Sequence, residues 1–183
     1  MCVFDLITYN EDFKIKVFDK PYGDYYNIML KAASDDHRLT PNYKTNLIHN
    51  HLFMCILYYR DIPSVLFGLY QDEELPKNVA RCFNRYYTIP EWRTKHAITN
   101  KGLIRTGRNL CLSFYNDYSQ YHIAYGIDTL FFTRNVNGYS SEKFLTKKMK
   151  TLQFEKLEHP LNYKNTLQWF WVQGDSSFTT LLP

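Results

Sequence analysis

Three basic side chains, Arg93, Lys95 and His96, follow closely on Pro90-Glu91-Trp92. They fall where a strand is expected to give way to a helix. The first turn of a helix offers unpaired N–H groups and the positive end of the helix dipole, so this junction suits an anion. The cluster is therefore expected to hold phosphate, from a cofactor or a nucleic acid; the alternative is a solvated loop. Arg105 and Arg108, three residues apart, share a helix face and either extend the patch or are ordinary exposed arginines. Arg81 and Arg85 lie on one face of a strand with Val79, Phe83 and Tyr87. Charges among apolar neighbours need partners. Glu73 or Glu74 is the expected salt-bridge partner, and a groove-facing role toward phosphate or substrate is the alternative. His49 and His51 place two imidazoles on one side of an extended segment, with His37 or Asp36 as a conceivable third ligand. No HxxxH or His-x-Glu spacing supports them, so they read as structural or surface histidines. There is no Walker loop, Rossmann glycine fingerprint, nucleophile elbow or paired-cysteine zinc signature.

The elements that must position these groups can be read from periodicity. FKIKVF at 13–18 alternates apolar and polar, the period of a half-buried strand. Asp24 is placed to cap a helix through Tyr25, Ile28, Met29 and Ala32. The runs 51–59 and 64–70, joined by Arg60-Asp61-Ile62-Pro63, predict a β-hairpin near the sheet centre. After the polar break at 71–77, residues 78–89 predict a strand ended by Pro90. Residues 99–116 predict a helix, interrupted or kinked near Gly107. Then follow a strand strongest at 129–133, a helix at 138–150, and strands at 152–157 and 167–173. Trp169, Phe170 and Trp171 in the last of these read as sheet core and edge rather than as base-stacking platforms. Together they predict one α/β (α+β) domain over residues 1–183, with a mixed, mostly antiparallel sheet of six to seven strands flanked by helices.

Composition agrees with a folded domain. Of 183 residues, 45% are hydrophobic and 17% aromatic, including 16 Tyr and 13 Phe, which excludes a disordered chain. The net charge of +4 permits an anionic partner without requiring one. Cys55, Cys82 and Cys111 lie in apolar runs and read as reduced core residues of a reducing compartment. With no apolar run long enough to span a bilayer and no signal-peptide pattern at MCVFDLITYNEDF, a soluble cytoplasmic protein with no membrane partner is expected.

The element order, and above all VARCFNRYYTIPEWR at 79–93, resembles the GCN5-related N-acetyltransferase superfamily, the acyl-CoA-dependent N-acyltransferases. Arg85 to Arg93 is similar to that family's exit from its fourth strand into the helix that holds the cofactor pyrophosphate. Asn137, Phe144 and Phe154 stand roughly where the family places Asn, Tyr and the Phe of a Gly-Phe pair. The family's glycine-rich loop is not matched, since no glycine follows Arg93 until Gly102, and Phe144 cannot donate a proton.

The resemblance implies that the strand ending at Ile89 splays from the next near 128–133 and admits an acyl-CoA thioester. Backbone N–H groups of Tyr87, Thr88 and Ile89 would polarise its carbonyl. Arg93, Lys95, His96, Thr99 and Asn137 would help bind the cofactor, acetyl-CoA or another acyl-CoA. Glu91 and His96 would be general bases, and Tyr139 would replace the missing tyrosine as acid. An amine is the implied acceptor. Divergent virus-encoded members of the fold show similar erosion, and the Asn-, Tyr- and Lys-rich composition has a bacteriophage cast. Two alternatives are a Mom-like phage enzyme that modifies DNA, and a non-enzymatic viral protein acting in the host cytoplasm on an eroded scaffold.

Overall fold

The computed structural model describes residues 3–18, 51–85, 101–137 and 142–183. The chain divides into two compact units, Met1–Tyr70 with Phe83–Tyr115, and Gln71–Cys82 with Asn116–Pro183.

In the first unit, β1 (Val3–Thr8), β2 (Phe13–Phe18), β3 (His51–Tyr59) and β4 (Ile62–Tyr70) form an antiparallel meander. β2 buries Phe13, Ile15 and Val17 and turns Lys14 and Lys16 outward, as its alternation predicts. β3 and β4 are buried at Phe53–Leu57 and Ser64–Tyr70, so both faces of this hairpin are covered. Its two-residue turn, Arg60-Asp61, takes φ of 47° and 64°, left-handed at both positions, as a tight hairpin requires. Neither residue is a glycine. Arg60 Nε bonds Asp12 Oδ1 at 2.7 Å and Lys14 Nζ lies 3.3 Å from Asp61 Oδ1, tying the turn to the start of β2.

The helix α1 (Lys101–Asp117) runs through Gly107 without the interruption that was one of the two expectations there. A Cβ at Gly107 would lie 3.1 Å from Leu57 Cδ2 and 3.6 Å from Phe13 Cε1. The glycine therefore serves close packing of the helix on the strands. Farther along, Phe114 sits edge-on to Phe67, and the Tyr115 hydroxyl donates to the Gly68 carbonyl at 2.8 Å. Gly68 has its own reason: a Cβ there would be 2.4 Å from the Phe53 carbonyl oxygen.

The second unit holds most of β5 (Val79–Arg85), with β6 (Thr129–Asn135), β7 (Glu155–Lys156), β8 (Leu161–Tyr163) and β9 (Thr166–Gln173). β5 pairs β6 in parallel, while β9 pairs β6, β7 and β8 antiparallel. Short helices α2 (Gln120–Ile123) and α3 (Glu142–Thr151) and a terminal 3₁₀ turn (Ser176–Leu181) complete it. One face of β6–β9 carries an aromatic core: Phe131 stacks on Phe170 at 5.5 Å and packs against Tyr163 and Phe178.

The fold is mixed α+β with mostly antiparallel strands and flanking helices, as the sequence predicts. Among the described residues, two strands lie beyond the seven that periodicity marks. β1 is an edge strand with a register shift between Val3 and Asp5, and β8 is three residues long, too short for a period to register.

Candidate functional site

The parallel pairing of β5 with β6 is short. It joins Val79 to Thr129, Ala80 to Leu130 and Arg81 to Phe131, and the next two residues, Cys82 and Phe132, are not in register. Yet β5 continues to Arg85 and β6 to Asn135. The start of the ladder is clamped. The Asn78 carbonyl accepts the N–H groups of both Asp128 and Thr129 at 3.1 Å, and Asn78 Nδ2 donates to Asp128 Oδ1 at 2.9 Å. Gly174, with φ of 106°, lets the end of β9 approach this corner; a Cβ there would be 2.8 Å from the Asp128 carbonyl oxygen. Within the second unit the two parallel strands are thus fixed at their beginnings.

The side chains at the end of these pairs are distinctive. Arg81, in the last pair, places its guanidinium 5.4 Å from the centroid of the Tyr163 ring. The expected salt bridge from Glu73 or Glu74 is not what holds it: both acids are exposed, and the ring supplies a cation–π contact instead. Tyr163 is fixed in turn by Asp72, which is 4% exposed. Asp72 Oδ2 accepts from Tyr163 Oη at 2.9 Å and from Lys164 Nζ at 2.7 Å, while Oδ1 accepts from the Glu74 N–H at 3.3 Å. Burial pushes the Asp72 carboxyl up. The hydrogen bonds from Lys164, Glu74 and Tyr163 outweigh that and hold it below the usual carboxylate range.

Cys82, next after the ladder, is buried, and burial pushes its thiol well above the ordinary range despite the opposing charge of Arg81. Such a thiol is no nucleophile. On β6, Thr133 Oγ1 and Arg134 Nη1 are both shielded from solvent without a hydrogen-bond partner. Buried polar groups are almost always paired, so two in succession mark this stretch.

Of the site residues expected from sequence, Asn137 is described: it is exposed, in the turn after β6. Tyr87, Thr88, Ile89, Glu91, Arg93, Lys95, His96, Thr99 and Tyr139 lie outside the described residues, as do Asp36, His37 and His49. Arg105 and Arg108 are exposed on α1, as a shared helix face predicts. His51 sits in β3, edge-on to Tyr70, and burial pushes its imidazole down to about 3. Among the described residues no group of three His, Cys, Asp or Glu could hold a metal ion, and no helix is long and apolar enough to cross a membrane. Trp171 is fully buried, as expected of core, with Nε1 donating to Thr146 Oγ1 of α3 at 3.2 Å.

Sequence reasoning missed the Asn78–Asp128 clamp, the Asp72–Tyr163–Lys164 network and the unpaired atoms of Thr133 and Arg134. One signal was available. Arg134 closes an otherwise apolar run, TLFFTR, and a charge there invites a question about its partner.

No family model matches the chain, and no curated protein is significantly similar to it in sequence. Solved structures are similar in fold. An uncharacterized protein from Bacillus halodurans superposes with a TM-score of 0.53 at 10% identity, covering 92% of this chain and 88% of that one. An acetyltransferase from Streptococcus agalactiae gives 0.52 at 10% identity, covering 88% and 98%. A GNAT family acetyltransferase from Elizabethkingia anophelis, solved with acetyl-CoA bound, gives 0.52 at 10% identity, covering 91% and 100%.

Proposed function

Given a chain with the fold of the GCN5-related N-acetyltransferases, we propose that it binds an acyl-CoA and transfers the acyl group to an amine. The observation that carries this reading is the clamped, three-pair ladder of β5 and β6. The proposal places the parting of these strands beyond that ladder, toward Ile89, where parted strands would leave backbone N–H and C=O groups to be satisfied from elsewhere. An extended amide chain such as the pantetheine arm supplies matching donors and acceptors.

The residues beyond the ladder take the roles that the resemblance to the acetyltransferases implies. Backbone N–H groups of Tyr87, Thr88 and Ile89 receive the thioester oxygen, where negative charge develops. Arg93, Lys95, His96 and Thr99 bind the phosphates, and Asn137 contributes from the turn after β6. The amine nitrogen attacks the thioester carbonyl carbon, and the C–N bond forms. Glu91 or His96 takes the proton the nitrogen sheds. The C–S bond breaks, and CoA leaves as a thiol after receiving a proton from Tyr139. The inert Cys82 thiol supports direct attack over an acyl-enzyme.

Titration calorimetry with acetyl-CoA is the test. Saturable binding is expected, followed by thiol release and an amide product, found by mass spectrometry, when an amine panel is added. No heat at millimolar acetyl-CoA with folded protein overturns the proposal.

A further inference from the structure

In the first unit, α1 packs along β3 in a definite register. A Cβ at Gly107 would lie 3.1 Å from Leu57 Cδ2, and the Phe114 ring stands 6.3 Å from that of Phe53. Leu57 and Phe53 leave the same face of β3, and Cys55 lies midway between them on that face. On the helix, Cys111 falls between Gly107 and Phe114 at the spacing that keeps all three on one side. The two outer contacts therefore bracket a third, in which Cys111 faces Cys55 across the helix–strand interface. The charge interaction of Cys111 with the Cys55 thiol, second to burial in pushing that thiol up, agrees with this juxtaposition. Both residues are 0% exposed, and both are free thiols.

The remainder of this interface is hydrocarbon: Phe13, Phe53, Leu57, Phe67 and Phe114. As a packing element a free cysteine is a small hydrophobe. Two of them set against each other add what no hydrocarbon side chain can, a covalent bond between helix and strand. Cys82, the third buried cysteine, belongs to the second unit, and its charged neighbour is Arg81 rather than a thiol.

We propose that Cys55 and Cys111 are a redox-responsive pair that a peroxide converts to a disulfide pinning α1 to β3. The inference is independent of acyl transfer, since it is read from covalent state and stability. Burial shields both thiols while the helix is seated, so the chemistry proceeds when α1 lifts from the sheet in a local opening. One thiolate attacks a peroxide oxygen, and the O–O bond breaks. The sulfur becomes a sulfenic acid, and the departing oxygen takes the thiol proton and leaves as water. The second sulfur then displaces hydroxide from the first. The S–S bond forms, and the hydroxide takes the second thiol proton and leaves as another water. The two sulfurs lose two electrons, which the peroxide gains.

The test treats the full chain with hydrogen peroxide and digests it without reduction. A peptide joining Cys55 to Cys111 is expected, with the intact mass lower by two hydrogens and restored by dithiothreitol. The oxidised protein should melt about 5–15 °C above the reduced one, because the bond closes the long loop between the two residues in the unfolded chain. Cys111→Ala should lose both the crosslink and the shift, while Cys82→Ala should keep both. The peptide map and melting shift of the parent need no variant and stand even if Cys111→Ala fails to fold. The proposal is overturned if the two thiols stay reduced in peroxide, or if they pass to sulfinic acid without a crosslink. It is also overturned if the crosslink runs instead to Cys2 or Cys82, or if the joined protein melts no higher than the reduced one.

Discussion

Substitution of Asp72 by Asn changes one atom's chemistry and leaves the shape. The carboxylate takes three hydrogen bonds, from Lys164, Tyr163 and the Glu74 N–H. Asparagine has one acceptor oxygen. Turned toward Lys164 and Tyr163, it keeps both contacts, the first as an ammonium–amide bond without the ion pair and the second as a neutral bond, and points its NH₂ at the Glu74 N–H. Losing the acceptor's charge costs about 1 kcal/mol for each side-chain donor, plus a smaller amount for Glu74. Lys164 has a side chain 36% exposed and can turn to water, which brings the expected total down to about 2 kcal/mol. The assay is equilibrium urea unfolding of parent and Asp72→Asn across pH. The Asp72 pKa is lower folded than unfolded, so its contribution is full above about pH 4 and fades as pH falls through the folded value. The gap between the proteins should therefore close in acid. A gap under about 0.5 kcal/mol near neutrality, or one that persists unchanged in acid, would refute the reasoning. Tyr163 carries Arg81 at the end of the ladder, so the variant should also weaken acetyl-CoA binding.

Three more outcomes follow from other parts of the molecule. Gly68→Ala forces a Cβ to within 2.4 Å of the Phe53 carbonyl oxygen, which must move, and should destabilise by about 1–3 kcal/mol in denaturant unfolding. His51, with its imidazole pushed down from 6.5 to about 3, takes a proton more readily unfolded than folded. Stability should decline as pH falls below about 6.5, earlier than the Asp72 effect, and His51→Leu should flatten that decline in pH-dependent melts. Arg93→Ala should leave the melting temperature nearly unchanged and weaken acetyl-CoA binding by about 1.5–3 kcal/mol in calorimetry; a large drop in melting temperature would instead make Arg93 a buried structural partner.

The parts of this fold that were legible in sequence are those whose signal is local. β2 is written in the alternation of FKIKVF, and β3 and β4 in two apolar runs around a tight turn. What was not legible depends on residues distant in sequence meeting in space. Nothing in SVLFGLY says that Gly68 must lack a Cβ, because the reason is a carbonyl on the neighbouring strand. Gly107 looked like a helix interruption or kink for the same cause: its purpose lies in Leu57 and Phe13. Glu73 and Glu74 were nearer guesses for a partner to Arg81 than Tyr163, which is 82 positions away by the numbering and joins it through packing. For the site, the expected parting of the strand ending at Ile89 from the next near 128–133 lies outside the described residues, and what is seen is the ladder at its beginning. The unpaired atoms of Thr133 and Arg134 are visible in coordinates alone, since a missing partner has no residue letter.

The hairpin β3–β4 turns on Arg60-Asp61, and β8–β9 turns on Lys164-Asn165, with φ of 47° and 64°, then 52° and 61°. In each, a long cation occupies a left-handed position that glycine or asparagine fills at less cost. Each cation then reaches a remote aspartate at 2.7 Å, Asp12 for Arg60 and Asp72 for Lys164. The local and distant choices are therefore coupled. A lineage that loses Asp12 has no further use for arginine at 60, and the turn is then free to drift toward the Asn-Gly that tight hairpins favour. Lys164 and Asp72 are bound by the same rule. Among descendants of this sequence, changes at 12 with 60, and at 72 with 164, should arrive in pairs, even though the first pair is too exposed to matter much to stability.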